Sequence, residues 1–443
     1  MRAFRLLSCI GLFAGVGLFA PCAGGMDLLE ALQQAETNDA RFAAAHAYLE
    51  MGQEKAPQGL SGLLPSLSLS GETVWHDIDT RTGGFSIDRQ YNTHGYALIL
   101  TQPVFRWQNW VTWNQGKLAA AMAEAEFDAA RQDLILRVAE AYFDVLNAEA
   151  TLEAAQAQKI AIAQQLEQAK QSFEVGTATI VDTYEAQSRY DLAQAQEIAG
   201  ENELAIRQEA LRVIIGDLPE SLARLDVTKI IEPPQPARLE DWVGAAQQNN
   251  LLVQIQSRQV EIAAEEVKKA RAGHYPTLDV VASSGRSRTA PGSTSTFRPE
   301  VDSTAIGLQL TLPLFQGGYV SSKSREAAAA HRAALANLEA ARRAAALGAR
   351  QSYLGVVNGL AQIKALEAAL ASSLAALESN KLGYEVGVRI NIDVLNAEQQ
   401  VFITRRDLAR AYHDTLLARL KLKNAIGTLD ETEVRAINAL LRH

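Results

Sequence analysis

The chain has almost no cysteine. Cys9 and Cys22 are the only two among 443 residues, and both lie in the first 25. If that stretch is removed, no thiol remains, which excludes disulfide stapling and a cysteine-ligated zinc site. The seven histidines (His46, His76, His94, His274, His331, His413 and His443) are scattered, and none forms a helical ligand pair such as H-E-x-x-H. No G-x-S-x-G elbow and no P-loop occur, so neither an enzyme nor a cofactor is expected. Basic charge is also short. Against 51 Asp and Glu stand 42 Lys and Arg, a net of −9, or −11 once Arg2 and Arg5 are removed. No nucleic-acid partner is expected of such a chain. After Met26 no apolar run approaches the roughly 20 residues that carry a helix across a bilayer.

Arg2 and Arg5 precede an apolar run from Leu6 to Ala20 and then small residues, the pattern of a secretory signal peptide over 1–25, cleaved after Ala23 or Gly25. Cys22 raises a lipoprotein reading, but Phe19, Ala20 and Pro21 fit a lipoprotein site poorly.

What is present is a text written twice. FEVGTATIVD, Phe173 to Asp182, returns 211 residues later as YEVGVRINID, Tyr384 to Asp393. The same offset carries AYFDVLNA at Ala141 onto SYLGVVNG at Ser352, Pro65 onto Pro276 and Gly216 onto Gly427, while Pro103 falls on Pro313, one residue short. Such self-similarity marks an internal tandem duplication. The first repeat spans 26–230, a Pro-rich linker with Pro233, Pro234 and Pro236 spans 231–238, and the second repeat spans 239–443.

Each repeat reads helix, two strands, very long helix, turn, helix. Met26 to about Gly62 reads as helix. From Leu63 to about Trp75, Leu67, Leu69 and Thr73 alternate with Ser68, Ser70 and Glu72. The polar stretch Asp77–Asn92, with Gly83 and Gly84, reads as a loop, and Thr93 to Gln102 as the next strand. The second repeat has a strand from Thr277, a loop rich in Gly, Ser and Pro up to Asp302, and a strand in which Ile306, Leu308, Leu310 and Leu312 alternate with Gly307, Gln309 and Thr311. Two proline-free stretches follow the strand pairs, Arg106–Ser172 and Tyr319–Leu382. As helices of about 65 residues they would reach roughly 100 Å. A rod of that length must lie along others, in a coiled coil or a helical barrel.

Four strands of about 10 residues, apolar on one face and polar on the other, fit strands that cross a bilayer. An open edge in lipid leaves amides without partners, and closure needs at least about 8 strands, so two or more chains must share a barrel. The competing reading is a four-stranded soluble sheet packed on helices; the export signal and the lack of a covering element weigh against it. Trp107, Trp110 and Trp113 in FRWQNWVTW fit an aromatic anchor at the membrane surface, or equally packing where strand passes into helix.

In this order and doubled, AYFDVLNA, SFEVGTATIVD, GHYPTLDVVASSG, LPLFQGG, GYEVGVRINIDVLNAEQ and NAIGTLDE resemble the TolC family of outer-membrane ducts, over essentially all of Met26 to His443. The resemblance implies a mixed α/β membrane protein. A homotrimer would form a 12-stranded transmembrane β-barrel in outer-membrane lipid, four strands per chain, continued by a long periplasmic α-helical barrel of coiled coils. It implies two partners, a periplasmic adaptor (membrane-fusion) protein and an inner-membrane pump, ABC-type or proton-driven. The duct would conduct passively in type I protein secretion or drug efflux, through an iris-like periplasmic gate. A structural periplasmic coiled-coil adaptor is the alternative; it would carry a soluble β domain and no outward apolar strand face.

At the ends of the long helices, Gly176 and Gly387 fit the left-handed residue that stops a helix. Thr179 with Asp182 fits a capping pair. Asp182 and Asp393 would sit in first turns, where negative charge is favoured by roughly 0.3–1 kcal/mol. That structural account is sufficient by itself. The resemblance adds that this turn is the periplasmic entrance. Tyr384 and Arg389 match the positions that hold it shut, Asp182 matches the acceptor for Tyr384, and Val181 stands where the family has threonine. Asp393 matches an acidic ring that selects cations. Asn396 replaces a second aspartate, which would weaken the ring, with Glu174 and Glu385 as extra acid nearby. The turns Val175-Gly176-Thr177 and Val386-Gly387-Val388 match adaptor-docking points.

Overall fold

The structure, a computed structural model, describes residues 25–226, 229–290 and 300–442. All of the expected leader but Gly25, and most of the loop expected before Asp302, lie outside the described residues.

Helix α1 (Leu28–Asn38) opens on a capping box: the Asp27 carboxylate accepts from the Glu30 amide at 2.7 Å and the Glu30 carboxylate from the Asp27 amide at 3.1 Å. The helix expected to run unbroken to Gly62 is divided. Asp39 ends α1 in an extended conformation, and its carboxylate caps α2 (Ala40–Gln53), accepting from the Phe42 amide at 2.6 Å; α3 (Lys55–Ser61) follows. An aspartate that bonds downstream amides competes with helix propagation, and the apolar periodicity does not register it.

Strands β1 (Ser66–Thr82) and β2 (Phe85–Phe105) pair in antiparallel register from Ser66↔Thr101 to Thr82↔Phe85. The expected loop over Asp77–Asn92 is therefore strand, except for a two-residue turn where Gly83 and Gly84 take φ of 60° and 85°. Two left-handed residues in succession match the twist of a hairpin. Beyond Trp75 the residues alternate less clearly in polarity, but the ladder continues. Ser86 donates across it to Asp79 at 2.5 Å and Gln90 to Asp77 at 3.3 Å.

The remaining helices are α4 (Trp107–Glu174), α5 (Ile180–Ile215), α6 (Leu239–Asn249), α7 (Leu251–Arg271), α8 (Tyr319–Glu385), α9 (Asn391–Ala425) and α10 (Glu431–Asn438). With 68 and 67 residues, α4 and α8 are rods of about 100 Å. Each folds back on its successor, giving the pairs α4–α5 and α8–α9, and α9 also packs on α4. Strands β3 (Thr277–Thr289) and β4 (Glu300–Thr311) complete one antiparallel sheet in the order β1-β2-β3-β4. An 18-residue stretch of α8 does reach a mean hydropathy of 1.3, enough for a membrane helix by length and composition, contrary to the sequence expectation; 6% of it is buried within the chain. Alanine supplies much of that hydropathy, and α8 packs along α9, α7 and α6.

The main core lies where α1, α4, α5, α9 and α10 meet, around Leu28, Leu134, Tyr142, Phe143, Leu211, Leu416 and Ile437. Equivalent bonds recur in the two halves. The Tyr142 hydroxyl donates to the Met26 carbonyl at 3.0 Å, and 211 residues on the Tyr353 hydroxyl donates to the Ala237 carbonyl. A similar bond, one residue out of step with the repeat, joins Asn38 to the Ile215 carbonyl at 2.8 Å and Asn250 to that of Ala425 at 3.0 Å. Each asparagine thereby ties the early helices of its half to the end of the last long one.

His413 of α9 stacks on Phe143 with centroids 5.3 Å apart, and its Nδ1 lies 2.7 Å from Asn147 Oδ1. Burial pulls its pKa down to about 4 from 6.5. Between those values an unfolded chain takes a proton that the folded chain refuses, so stability falls as pH drops through the window. Replacing His413 by Phe should flatten that part of the thermal-melting profile between pH 6.5 and about 4; a profile with undiminished slope would contradict the assignment.

Candidate functional site

The register aligns side chains across the sheet in rows. Leu67, Leu100, Ala282 and Ile306 form one row, and Leu69, Leu98, Ser284 and Thr304 the next on the same face. On β4 this face is apolar through Leu310, Leu308 and Ile306 and then turns to Asp302 and Glu300. On β1 and β2 it stays apolar further along the ladder, through Leu69 and Leu98 to Tyr96, with Trp75, 81% exposed, standing beyond a polar row at Thr73 and His94. The row Gly71-Tyr96-Arg286-Asp302 is already charged at its β3–β4 end. The apolar band thus crosses the sheet on a slant. Barrel strands tilt by about 35–45°, and such a tilt brings a slanted band level with a membrane. At its upper edge Arg286 pairs with Asp302 at 2.6 Å and Arg288 with Glu300 at 2.9 Å. The other face carries Ser68, Ser70, Thr101, Ser283 and Gln309. Among the described residues, the outer edges of β1 and β4 have no strand partner within the chain.

Below the band, strand becomes helix at Arg106. Its Nε and Nη2 donate to the two carboxylate oxygens of buried Asp279, each at 2.7 Å, fastening the start of α4 to β3. This fork-to-fork pair, uniting the two halves, was absent from the sequence reading. Trp107 and Trp110 are half exposed at 40% and 47%. Trp113 is half-buried, meets Trp110 edge-on at 5.3 Å and carries the Lys117 ammonium 4.1 Å from its ring centre. Leu314 and Phe315 extend the belt into the second half, 89% and 88% exposed. The match of LPLF to QPVF contained that signal.

At the far end, Gly176 and Gly387 both take φ of 78°. The amides of Thr177 and Val388 fold back to the carbonyls of Ser172 and Gly383, both at 2.8 Å. A left-handed turn of this kind ends a helix at little cost only with glycine. Thr179 caps α5 as expected: its amide and hydroxyl both donate to Asp182 Oδ2 at 2.8 Å. The turns expose apolar side chains, Val175, Val386 and Val388, beside Val181 and Ile390. Arg389 stands 3.6 Å from Asp393, one turn on, so the basic gate residue lies beside the acid of the expected ring. Tyr384 is half-buried, and among the described residues its hydroxyl and the Asp182 carboxylate of the same chain are not hydrogen-bonded. Glu174 and Glu385 are exposed. Asn396 accepts a hydrogen bond from Arg189 of α5 at 3.0 Å. Among the described residues no cluster of potential metal ligands occurs.

The family model described as Outer membrane efflux protein matches residues 31–217 and again 242–428. The chain belongs to the outer membrane efflux protein family. It is 32% identical over 437 residues to Outer membrane protein TolC of Vibrio cholerae, covering 97% of each. It is 31% identical over 423 residues to the Alkaline protease secretion protein AprF of Pseudomonas aeruginosa, covering 94% of this chain and 88% of AprF. The outer membrane channel CmeC of Campylobacter jejuni has the same fold, with a TM-score of 0.79 at 17% identity over 94% of this chain and 90% of CmeC. So does VceC of Vibrio cholerae, at 0.76 and 22% over 90% and 96%. The protein is thus an outer-membrane exit duct of a Gram-negative bacterium, reaching into the periplasm, and not an enzyme. Channels of this family work in tripartite systems with an adaptor and an inner-membrane pump.

The two sheet faces make opposite demands. An arginine facing lipid at the membrane midplane costs about 2–4 kcal/mol. Ile306→Arg should deplete the protein from the outer-membrane fraction, while Gln309→Arg on the other face should leave it there. Equal depletion by both would refute the assignment of faces.

Proposed function

We propose that three copies of the chain close one 12-stranded barrel, four strands from each. The observation that carries this reading is a sheet with an outward apolar band and two unpaired edges. Neither edge is tenable in lipid unless a neighbour covers it. The tandem repeat supplies two long rods per chain, hence a quasi-sixfold tube through the periplasm. The exposed apolar stretch of α8 supports this arrangement, because neighbouring rods would cover it. A free-standing coiled-coil adaptor is disfavoured by the outward apolar rows.

The tip is the entrance that a pump and adaptor open. Tyr384 and Arg389 hold it shut, Asp182 on an adjacent helix pair accepting from the Tyr384 hydroxyl. The valines of the turns Val175-Gly176-Thr177 and Val386-Gly387-Val388 form the apolar contact for the adaptor. Asp393 lines the narrowest ring, with its charge moderated by Arg389 at 3.6 Å. Substrates pass passively, and the pump supplies energy and selectivity.

Tyr384→Phe combined with Arg389→Ser should raise single-channel conductance in planar bilayers severalfold; a channel of unaltered conductance sinks the gate. Asp393→Ala should abolish block by trivalent cations added on the periplasmic side. Block that persists would move the site elsewhere, to Glu385 first.

A further inference from the structure

Just behind the tip, a polar side chain joins the first long helix pair to the second. Arg189 on α5 donates from Nη1 to Gln399 Oε1 at 3.0 Å and from Nη2 to Asn396 Oδ1 at 3.0 Å, both on α9. It stands seven residues beyond Asp182, about 10 Å along the helix at ~1.5 Å per residue. Beside it Leu395 of α9 is buried against Ile162 of α4 and Ala193 of α5. Near the tip the second pair therefore rests on the first through the Leu395 knob and the Arg189 guanidinium, while farther from it His413 and Lys421 of α9 meet Asn147 and Glu140 of α4. Among the described residues, the ion pairs near the tip, Lys159–Glu197, Lys381–Glu398 and Arg389–Asp393, each lie within a single helix pair. They can persist while the pairs separate, whereas the Arg189 bonds must break.

We propose that Arg189 moors the α8–α9 pair to the α4–α5 pair and sets the threshold for opening the duct. It is a positioning residue for conduction, and its role rests on the tip being the periplasmic entrance. Asn396 is a neutral acceptor, so the mooring combines a charged donor with uncharged oxygens. Such a bond is directional yet weaker than an ion pair. Breaking it leaves the guanidinium free to be hydrated at an exposed surface. An aspartate at 396 would turn the mooring into a salt bridge. Asn396 therefore acts as a partner for Arg189 rather than as a lost member of the acidic ring.

The test uses the purified full-length protein in planar bilayers, with its thermal melting measured alongside. Arg189→Ala should raise single-channel conductance or open dwell time about twofold or more, with melting unchanged. Arg189→Lys, which keeps the charge but loses the fork, should fall between Ala and the parent. Asn396→Asp should lower conductance below that of the parent without strengthening trivalent-cation block. Parental conductance together with parental open dwell time in Arg189→Ala, with or without a lower melting temperature, would overturn the mooring. So would stronger block without reduced conductance in Asn396→Asp. The Tyr384→Phe, Arg389→Ser channel run in parallel separates the two readings. If that channel opens and Arg189→Ala does not, only the mooring fails; if Arg189→Ala alone opens, the Tyr384 link fails and the mooring stands. If neither opens, both fail.

Discussion

A β-strand edge cannot be left open in lipid, because each unpaired amide and carbonyl there lacks even water as a partner. Among the described residues, the four strands present an apolar band to one side and leave β1 and β4 unpaired at their outer edges. In the proposed barrel those edges find their partners in other copies of the chain. The need for closure in turn gives the slanted band its meaning. On a flat sheet it would be misaligned with any membrane, while on tilted strands it becomes a level belt.

The same constraint reaches the periplasmic end through covalent continuity. The first strand pair passes into its rod at Arg106, and the second reaches its rod at Tyr319 through the short connection 312–318. The Arg106–Asp279 fork fixes the exit angle of α4 relative to β3, so sheet and helices are oriented together. The rods then run about 100 Å to turns in which glycine reverses the chain. Over that length a small change of packing between α9 and α4–α5 becomes a large displacement at the tip. In the proposed gate, links between the helix pairs therefore matter more for conduction than those within them.

Features set by neighbours in the chain were legible in the residues. The Thr179–Asp182 cap, the left-handed Gly176 and Gly387, the alternation of Ile306, Leu308 and Leu310, and the uninterrupted rods all follow from local rules. What escaped was non-local or patternless. The strands through Asp77–Asn92 escaped because Asp, Asn and the paired glycines read as a loop; Ile78, Phe85, Ile87 and Tyr91 do alternate with polar residues, but on the face opposite Leu67 and Leu69, so the earlier period is not continued. Asp39 divided a helix through a single carboxylate. Arg189 and Asn396 are 207 residues apart, and an arginine facing an asparagine has no signature in sequence. The Arg106–Asp279 pair, 173 residues apart, was hidden for the same reason. The repeat could have pointed to Leu314 and Phe315, since their match to Val104 and Phe105 lies in plain view.

The most direct measurement is disulfide mapping between strand edges in intact outer membranes. With only Cys9 and Cys22 native to the chain, single cysteines can be scanned along Ser66–Trp75 of β1 against others along Val301–Thr311 of β4. Closure by three copies predicts, for the pairs in register, covalent species of two and three chains and nothing larger on a non-reducing gel. A ladder that stops at two chains, or monomers that link β1 to β4 within one chain, would contradict it.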